Sequence, residues 1–200
     1  EKDKKHNHII FFLNKKIKLI YNDVRKFGFI KILKTTELKK NSHLRTLGPE
    51  PLSKNFNFRY FKKLINNKKS CIKNIMMNQN FIGGLGNIYV NEILFKSGIK
   101  PEKSATKIKD FEIKKIINYS KKIIMKSILV GGSSIKDFNS VNGEKGSFQQ
   151  LFSVYGRNER KCLKVRCTGI IKKKIYLIEL LFTVKDAKNN KLTRIIARYI

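Results

Sequence analysis

Three short apolar runs, residues 8–13, 16–21 and 27–33, open the chain. They are rich in Ile and Phe, alternate in part, and are broken by Asn14-Lys15 and by Asn22-Asp23, so they predict strands of an antiparallel meander. Past Leu47 the period changes. Gly48-Pro49-Glu50-Pro51 is a stiff turn that suits a domain boundary. From there to about residue 130 apolar positions recur at helical spacing, predicting helices over roughly 56–66, 70–78, 87–97 and 110–130. The last has Asp110 as its expected N-cap, apolar positions at Phe111, Ile113, Ile116, Ile117, Ile123, Ile124 and Ile128, and Gly131-Gly132 as its stop. Residues 131–150 are glycine-rich and polar, long for a plain connection, and so a candidate functional loop. A basic segment from Val154 carries Cys162 and Cys167, and no internal repeat is visible.

Charge changes the picture most. Two hundred residues at 41% apolar content can build one medium domain or two small ones, each with a core. Forty-five Lys and Arg against fourteen Asp and Glu leave +31, far more than solubility requires, and point to a polyanion, nucleic acid first. Thirty-seven of those cations are Lys, beside abundant Asn and Ile, so AT-rich coding accounts for part of the excess. No apolar stretch approaches the roughly 20 residues that span a bilayer, and no secretory leader opens the chain, which reads as cytosolic. Three cysteines without such a leader argue for metal binding or burial rather than disulfides, with Cys71, alone in an apolar run, expected in the core.

Candidate chemistry sits in five places. Asn80-Phe-Ile-Gly-Gly-Leu-Gly-Asn-Ile-Tyr-Val-Asn-Glu92 is a glycine-dense turn handing the chain to an asparagine at a helix start, where backbone N–H groups and a short amide can meet a phosphate. Asn87 is equally a plain helix cap, and Lys69 and Lys73 are equally a solvated face. In Asp23-Val24-Arg25-Lys26-Phe27-Gly28, an Arg beside an aromatic on a tight turn suits filling a vacated base stack, while a polar hairpin with one core Phe is the plainer alternative. His6 and His8 share one strand face and could form a weak metal pair or a surface pair. Gly131 to Phe138 and Val154-Tyr155-Gly156-Arg157 make either a working loop or a flexible connector, and Cys162 with Cys167 makes half a metal site.

These motifs, in this order, resemble the formamidopyrimidine-DNA glycosylases over roughly residues 5–176. That family carries Asp-Pro-Arg-Arg-Phe-Gly where this chain has Asp23-Val24-Arg25-Lys26-Phe27-Gly28. The resemblance implies that Arg25 faces the orphaned base and Phe27 wedges the stack, while Val24 in place of Pro removes a source of stiffness. It implies phosphate contacts for His6, Lys69, Lys73, Asn87 and Tyr155. The same resemblance gives a loop over the flipped purine containing Gly132, Ser133, Ser134 and Lys136, which favours an oxidised-purine enzyme over the endonuclease VIII type. Glu92 is expected to hold neighbouring basic groups in place rather than to act as a general base.

Two ends depart from the family pattern. The family attacks the sugar C1′ with an N-terminal proline amine, assisted by the next glutamate; here the only prolines are Pro49, Pro51 and Pro101. The chain is therefore expected to be an N-terminally truncated piece with no catalytic residue of its own. The family's zinc finger ends in a second cysteine pair that this chain lacks, so Cys162 and Cys167 make an incomplete site and no zinc is expected on the chain as it stands. Back-translating Ile178 to Lys188 one base out of phase restores an arginine, an aromatic and a Cys-x-x-Cys pair, which suggests a single-nucleotide slip and an out-of-frame tail from about residue 177; sequencing the coding DNA decides this.

The expectation is thus an α+β chain with three parts. Residues 1–48 are the last strands of an antiparallel β-sandwich, 49–155 a helix–two-turns–helix domain with its lesion loop at 131–150, and 156–200 a remnant zinc hairpin. The implied function is excision of oxidised purines from double-stranded DNA with cleavage at the abasic site, by a monomer in the bacterial cytoplasm and nucleoid. A non-catalytic damaged-DNA-binding module and a basic RNA-associated protein are the rivals.

Overall fold

The structure, a computed structural model, describes residues 4–133, 146–176, 179–185 and 197–199. Both helices and strands are present, as the α+β expectation requires, in two compact units, Glu1–Asn41 and Ser42–Ile200. The division falls at Asn41, a few residues before the Gly-Pro turn.

In the first unit, β1 (Asn7–Phe12) and β2 (Lys18–Asn22) pair antiparallel, with Ile10 opposite Ile20 and Phe12 opposite Lys18. Asn14 closes the connection by accepting the N–H groups of Lys16 and Ile17 on Oδ1 at 2.9 and 2.8 Å. The third expected strand, 27–33, is not a strand. The Asp23 carboxylate draws the Arg25 and Gly28 N–H groups into a turn, and no ladder partner for this run exists among the described residues. Ile9, Ile10, Phe11, Phe12, Leu19 and Ile20 are all exposed, an apolar composition that suits a strand pair covered on both faces.

The second unit is built on four helices after a single turn, α1 (Ser42–Arg45): α2 (Phe58–Ile65), α3 (Ile72–Met77), α4 (Asn87–Ser97) and α5 (Asp110–Leu129). α4 is the central post. Val90, Ile93, Leu94 and Phe95 are buried around it, joined by Phe56, Phe61, Ile72, Ile113 and Ile116 from its neighbours. Each such side chain contributes about 1.5–3 kcal/mol by leaving water. α2 is capped by Asn57, whose Oδ1 accepts the Tyr60 N–H at 3.0 Å. α5 begins differently from the expectation. Lys109 holds the N-cap position and Asp110 is already helical, because Glu112 reaches back to accept the Lys109 N–H at 2.8 Å. α5 ends at Leu129, followed by Gly131 and Gly132 at φ +74° and +79°.

Behind α4 the chain closes with an antiparallel sheet in the order β3 (Ile170–Tyr176), β4 (Glu179–Lys185), β5 (Ala197–Tyr199). A small second core of Phe95, Val154, Cys162 and Ile171 fixes this segment to the C-terminal turn of α4.

Candidate nucleic-acid interface

The turn between α3 and α4 is held by main-chain bonds before any recognition residue is considered. Gln79 Nε2 donates to the Leu85 carbonyl and its Oε1 accepts the Gly84 N–H, both at 2.8 Å, while the Gly48 N–H donates to the Gln79 carbonyl at 2.8 Å. Gly48 must be glycine: a Cβ there would lie 2.3 Å from the Phe81 carbonyl. Gly84 adopts φ +80°, which an L side chain rarely takes.

This network delivers Asn87 to the first residue of α4, while the N-cap position falls to Gly86, which has no side chain to cap with. The amides of the first turn are thus left to a ligand or to water. Asn87 Oδ1 accepts from Lys73 Nζ at 2.6 Å and from Asn91 Nδ2 at 3.2 Å, and its own Nδ2 is buried without a partner among the described residues. Lys73 is buried in α3 with its ammonium brought to this point, whereas Lys69 stands exposed before the helix. One buried cation, one orphaned amide N–H and one uncapped helix start come together here, beside the acceptor oxygens of Asn87 and Asn91, and such donors suit an anion.

In the first unit the Asp23 carboxylate organises the turn. Oδ1 accepts the N–H groups of Arg25 and Lys26 at 3.0 Å each, and Oδ2 accepts the Gly28 N–H at 2.8 Å. These bonds, that from Gly28 foremost, hold its pKa below the ordinary carboxylate value. With Val24 where a proline would stiffen the chain, the turn is held by one acid gripping three amides. Lys26 takes φ +56°, and the Arg25 guanidinium lies 4.8 Å over the Phe27 ring, itself 79% exposed. The turn therefore presents a cation stacked on an aromatic, facing solvent. His6 is half-buried and its carbonyl accepts the Asp23 N–H at 3.1 Å, while His8 Nε2 meets the Asp23 carbonyl at 2.9 Å, so both histidines serve the turn.

Comparison with known proteins gives this geometry its setting. The family model described as the formamidopyrimidine-DNA glycosylase H2TH domain matches residues 47–139. Formamidopyrimidine-DNA glycosylase of Ruegeria sp. (strain TM1040) is 36% identical over 167 residues, 84% of this chain and 59% of the relative. That of Rickettsia felis is 40% identical over 171 residues, 86% of this chain and 61% of the relative. MutM (Fpg) from Thermus thermophilus superposes with a TM-score of 0.80 at 25% identity, over 88% of this chain and 66% of that one. Lactococcus lactis Fpg in complex with abasic-site DNA gives 0.81 at 30% identity, over 91% and 66%. The chain belongs to the formamidopyrimidine-DNA glycosylase family. It spans about three-fifths of the length of the curated relatives it matches.

Within this glycosylase-family chain, Glu92 does something other than the expected holding of basic groups. Its buried carboxylate accepts three consecutive main-chain N–H groups, those of Ser153 at 2.8 Å and of Val154 and Tyr155 at 2.9 Å. It ties α4 to the segment that carries Tyr155, whose ring packs edge-on to Phe152 at 5.3 Å. Nothing local in the sequence marks that link, because the partners lie about sixty residues on. Arg157, part of the Val154–Arg157 motif but given no role of its own there, donates from Nη2 to the Lys161 carbonyl at 3.2 Å, and its Nε is buried without a partner among the described residues.

The base of the 131–150 loop is closed tightly. The Gly132 N–H donates to the Ser127 carbonyl at 2.8 Å, the Phe148 N–H donates to the Gly132 carbonyl at 3.0 Å, and Ser133 bridges Ser147. Gly146 admits no side chain, since a Cβ would lie 2.3 Å from the Gly131 and Gly132 carbonyl oxygens. Ser134 and Lys136 lie outside the described residues.

Cys162 is buried and Cys167 half-buried, both as free thiols. Burial pushes the Cys162 thiol up, and Cys162 Sγ accepts the Lys164 N–H at 3.5 Å. Among the described residues no third His, Cys, Asp or Glu joins them, so this donor set does not fit a tetrahedral zinc site. Cys71 departs from expectation too: it is half-exposed at the N-cap position of α3, not in the core. No helix among the described residues is long and apolar enough to cross a membrane.

Proposed function

We propose that this chain grips damaged double-stranded DNA for the excision of oxidised purines, with strand cleavage at the resulting abasic site, acting as a monomer on nucleoid DNA. The observation that carries this reading is the cluster of donors at Asn87, where Lys73 Nζ and an orphaned amide meet the uncapped start of α4. A backbone phosphate supplies an acceptor for the Asn87 amide and for the first-turn N–H groups of α4. In this reading Asn87, Lys73, Lys69, His6 and Tyr155 hold phosphates, and Arg25 with Phe27 occupies the stack left by an extruded base. Gly132, Ser133, Ser134 and Lys136 belong to the loop that covers that base. The strand pair before residue 48 is the tail of a β-sandwich, 49–155 the helix–two-turns–helix domain, and 156–200 a zinc-finger-like hairpin. Within the family assignment, the relative solved with abasic-site DNA supports the choice of ligand.

These 200 residues supply grip and wedge; Pro49, Pro51 and Pro101 are all internal, so no N-terminal proline amine is among them. The test measures binding of this chain to an abasic-analogue duplex and to an undamaged one as salt rises. A preference for the former should persist while non-specific binding collapses, and Arg25→Ala with Phe27→Ala should erase it. Equal affinity for the two duplexes, or for a single-stranded RNA, defeats the reading. Borohydride trapping on lesion DNA separates a bound complex from a reacting one, since only an amine nucleophile yields a covalent adduct.

A further inference from the structure

α5 has two unlike faces. Ile113, Ile116, Ser120 and Ile123 lie inside, against α4 and the core, and the opposite side is open to solvent. On that open side stand Lys114, Lys115, Lys121, Lys122 and Lys126, all exposed. At 3.6 residues per turn they form two rows about 100° apart, Lys114 with Lys121 on one flank and Lys115 with Lys122 and Lys126 on the other. Between the rows runs a narrow line of Phe111, Asn118, Met125 and Leu129.

The helix's two acids do not neutralise these rows. Glu112 is turned inward onto Lys103 Nζ at 2.6 Å, and Asp110 is taken by Lys62 of α2 at 2.8 Å. Among the described residues no carboxylate lies within ion-pair distance of Lys114, Lys115, Lys121 or Lys122. Aromatic rings steady two of them instead, Phe58 under Lys114 at 5.9 Å and Phe111 under Lys115 at 5.5 Å. Like charges seven residues apart, repeated over a helix about 30 Å long, complement a regular line of negative charge.

We propose that the solvent face of α5 is a second binding surface for duplex DNA, independent of sequence and turned away from the Asn87 site, so that one chain can hold two duplexes. Two rows flanking a helix about 10–12 Å across suit phosphates on the two walls of a major groove about 12 Å wide. The line between the rows carries no charge except at its edges, so it has little with which to read base edges. An anionic lipid surface fits less well, because Asn118 interrupts the apolar line and the other side of α5 is committed to the core.

The inference rests on the reading that this chain binds duplex DNA, and the test keeps the two apart. Donor- and acceptor-labelled lesion-free duplexes are mixed with the chain at low salt and energy transfer between them is measured. The unmodified chain should bring them together. K114Q/K115Q/K121Q/K122Q should abolish the transfer while leaving affinity for an abasic-analogue duplex within about twofold, and should lower the salt slope of non-specific binding by about 3 to 4. K121Q/K122Q alone should give about half that change in slope. K15Q/K16Q/K31Q/K34Q removes the same charge from the first unit and should leave the transfer intact. Asn87→Ala should weaken binding of the abasic-analogue duplex yet keep α5-dependent binding of undamaged duplex, so failure at one surface is distinguishable from failure at the other. Undiminished transfer in the α5 variant, equal loss in the first-unit variant, or α5-dependent binding to phosphatidylglycerol vesicles without duplex bridging overturns the proposal.

Discussion

The two turns that present recognition residues are built on opposite plans. The α3–α4 turn is wedged into a core: Gly48, Gln79 and Gly84 bond around it, and Ile82 and Leu85 are fully buried within it. The turn holding Arg25 and Phe27 hangs on the half-buried Asp23, bonded to its own amides and to His6 and His8, with no core beneath it among the described residues of its own unit, where most large apolar side chains are open to solvent. One is positioned by packing, the other by hydrogen bonds alone. Substitutions should therefore move stability in the first case and local order in the second.

The largest effect is expected at Gly48→Ala. Its added methyl meets backbone that cannot move without breaking the turn, and unfolding should become easier by about 3 kcal/mol or more, read as a lowered Tm of the helical unit. Retention of the original Tm would show that the turn is softer than its packing indicates. Next comes Glu92→Gln, which sets an NH2 against amides that previously met a carboxylate, at about 2 kcal/mol. Hydrogen exchange should quicken at Ser153, Val154 and Tyr155 before it does elsewhere in the unit.

Lys73→Met keeps the buried stem and removes the ammonium beside Asn87, so affinity for an abasic-analogue duplex should fall about tenfold with fold retained, checked by anisotropy beside circular dichroism. The smallest effect, and the sharpest contrast, concerns Asp23. Its folded pKa lies below the ordinary value of 3.8, so the stabilisation it brings is complete above that value and is lost as pH falls through the lower, folded pKa. The Gly28 amide should lose protection in that acid window while the α3–α4 turn does not, and Asp23→Asn should show the loosened turn at neutral pH.

How much was legible in the sequence follows the same division. α5 was found nearly to the residue because twenty positions repeat one period, and α4 because its start follows a glycine turn. The third strand was not, since 27–33 has the composition of a strand but no neighbour to bond among the described residues, and composition cannot report a neighbour. Asp110 looked like a cap by residue type alone, yet the choice between 109 and 110 was made by Glu112 folding back. Asn87 was found as a phosphate candidate, while its departure from the cap position and its bond to Lys73 were not visible.

What the order of residues determined by itself was local: the periods that make β1, β2 and the helices, the surplus of positive charge, and five motifs whose sequence order marks the family. Only the tertiary structure decided which acids are spent inward and which lysines are left facing solvent, that Glu92 would serve the backbone of residues 153–155, and that Lys73 would be buried against Asn87. The reason is physical. Periodicity and turn chemistry act over a few bonds, whereas a carboxylate's partner and an ammonium's burial are set by which distant segments the core brings within about 3 Å.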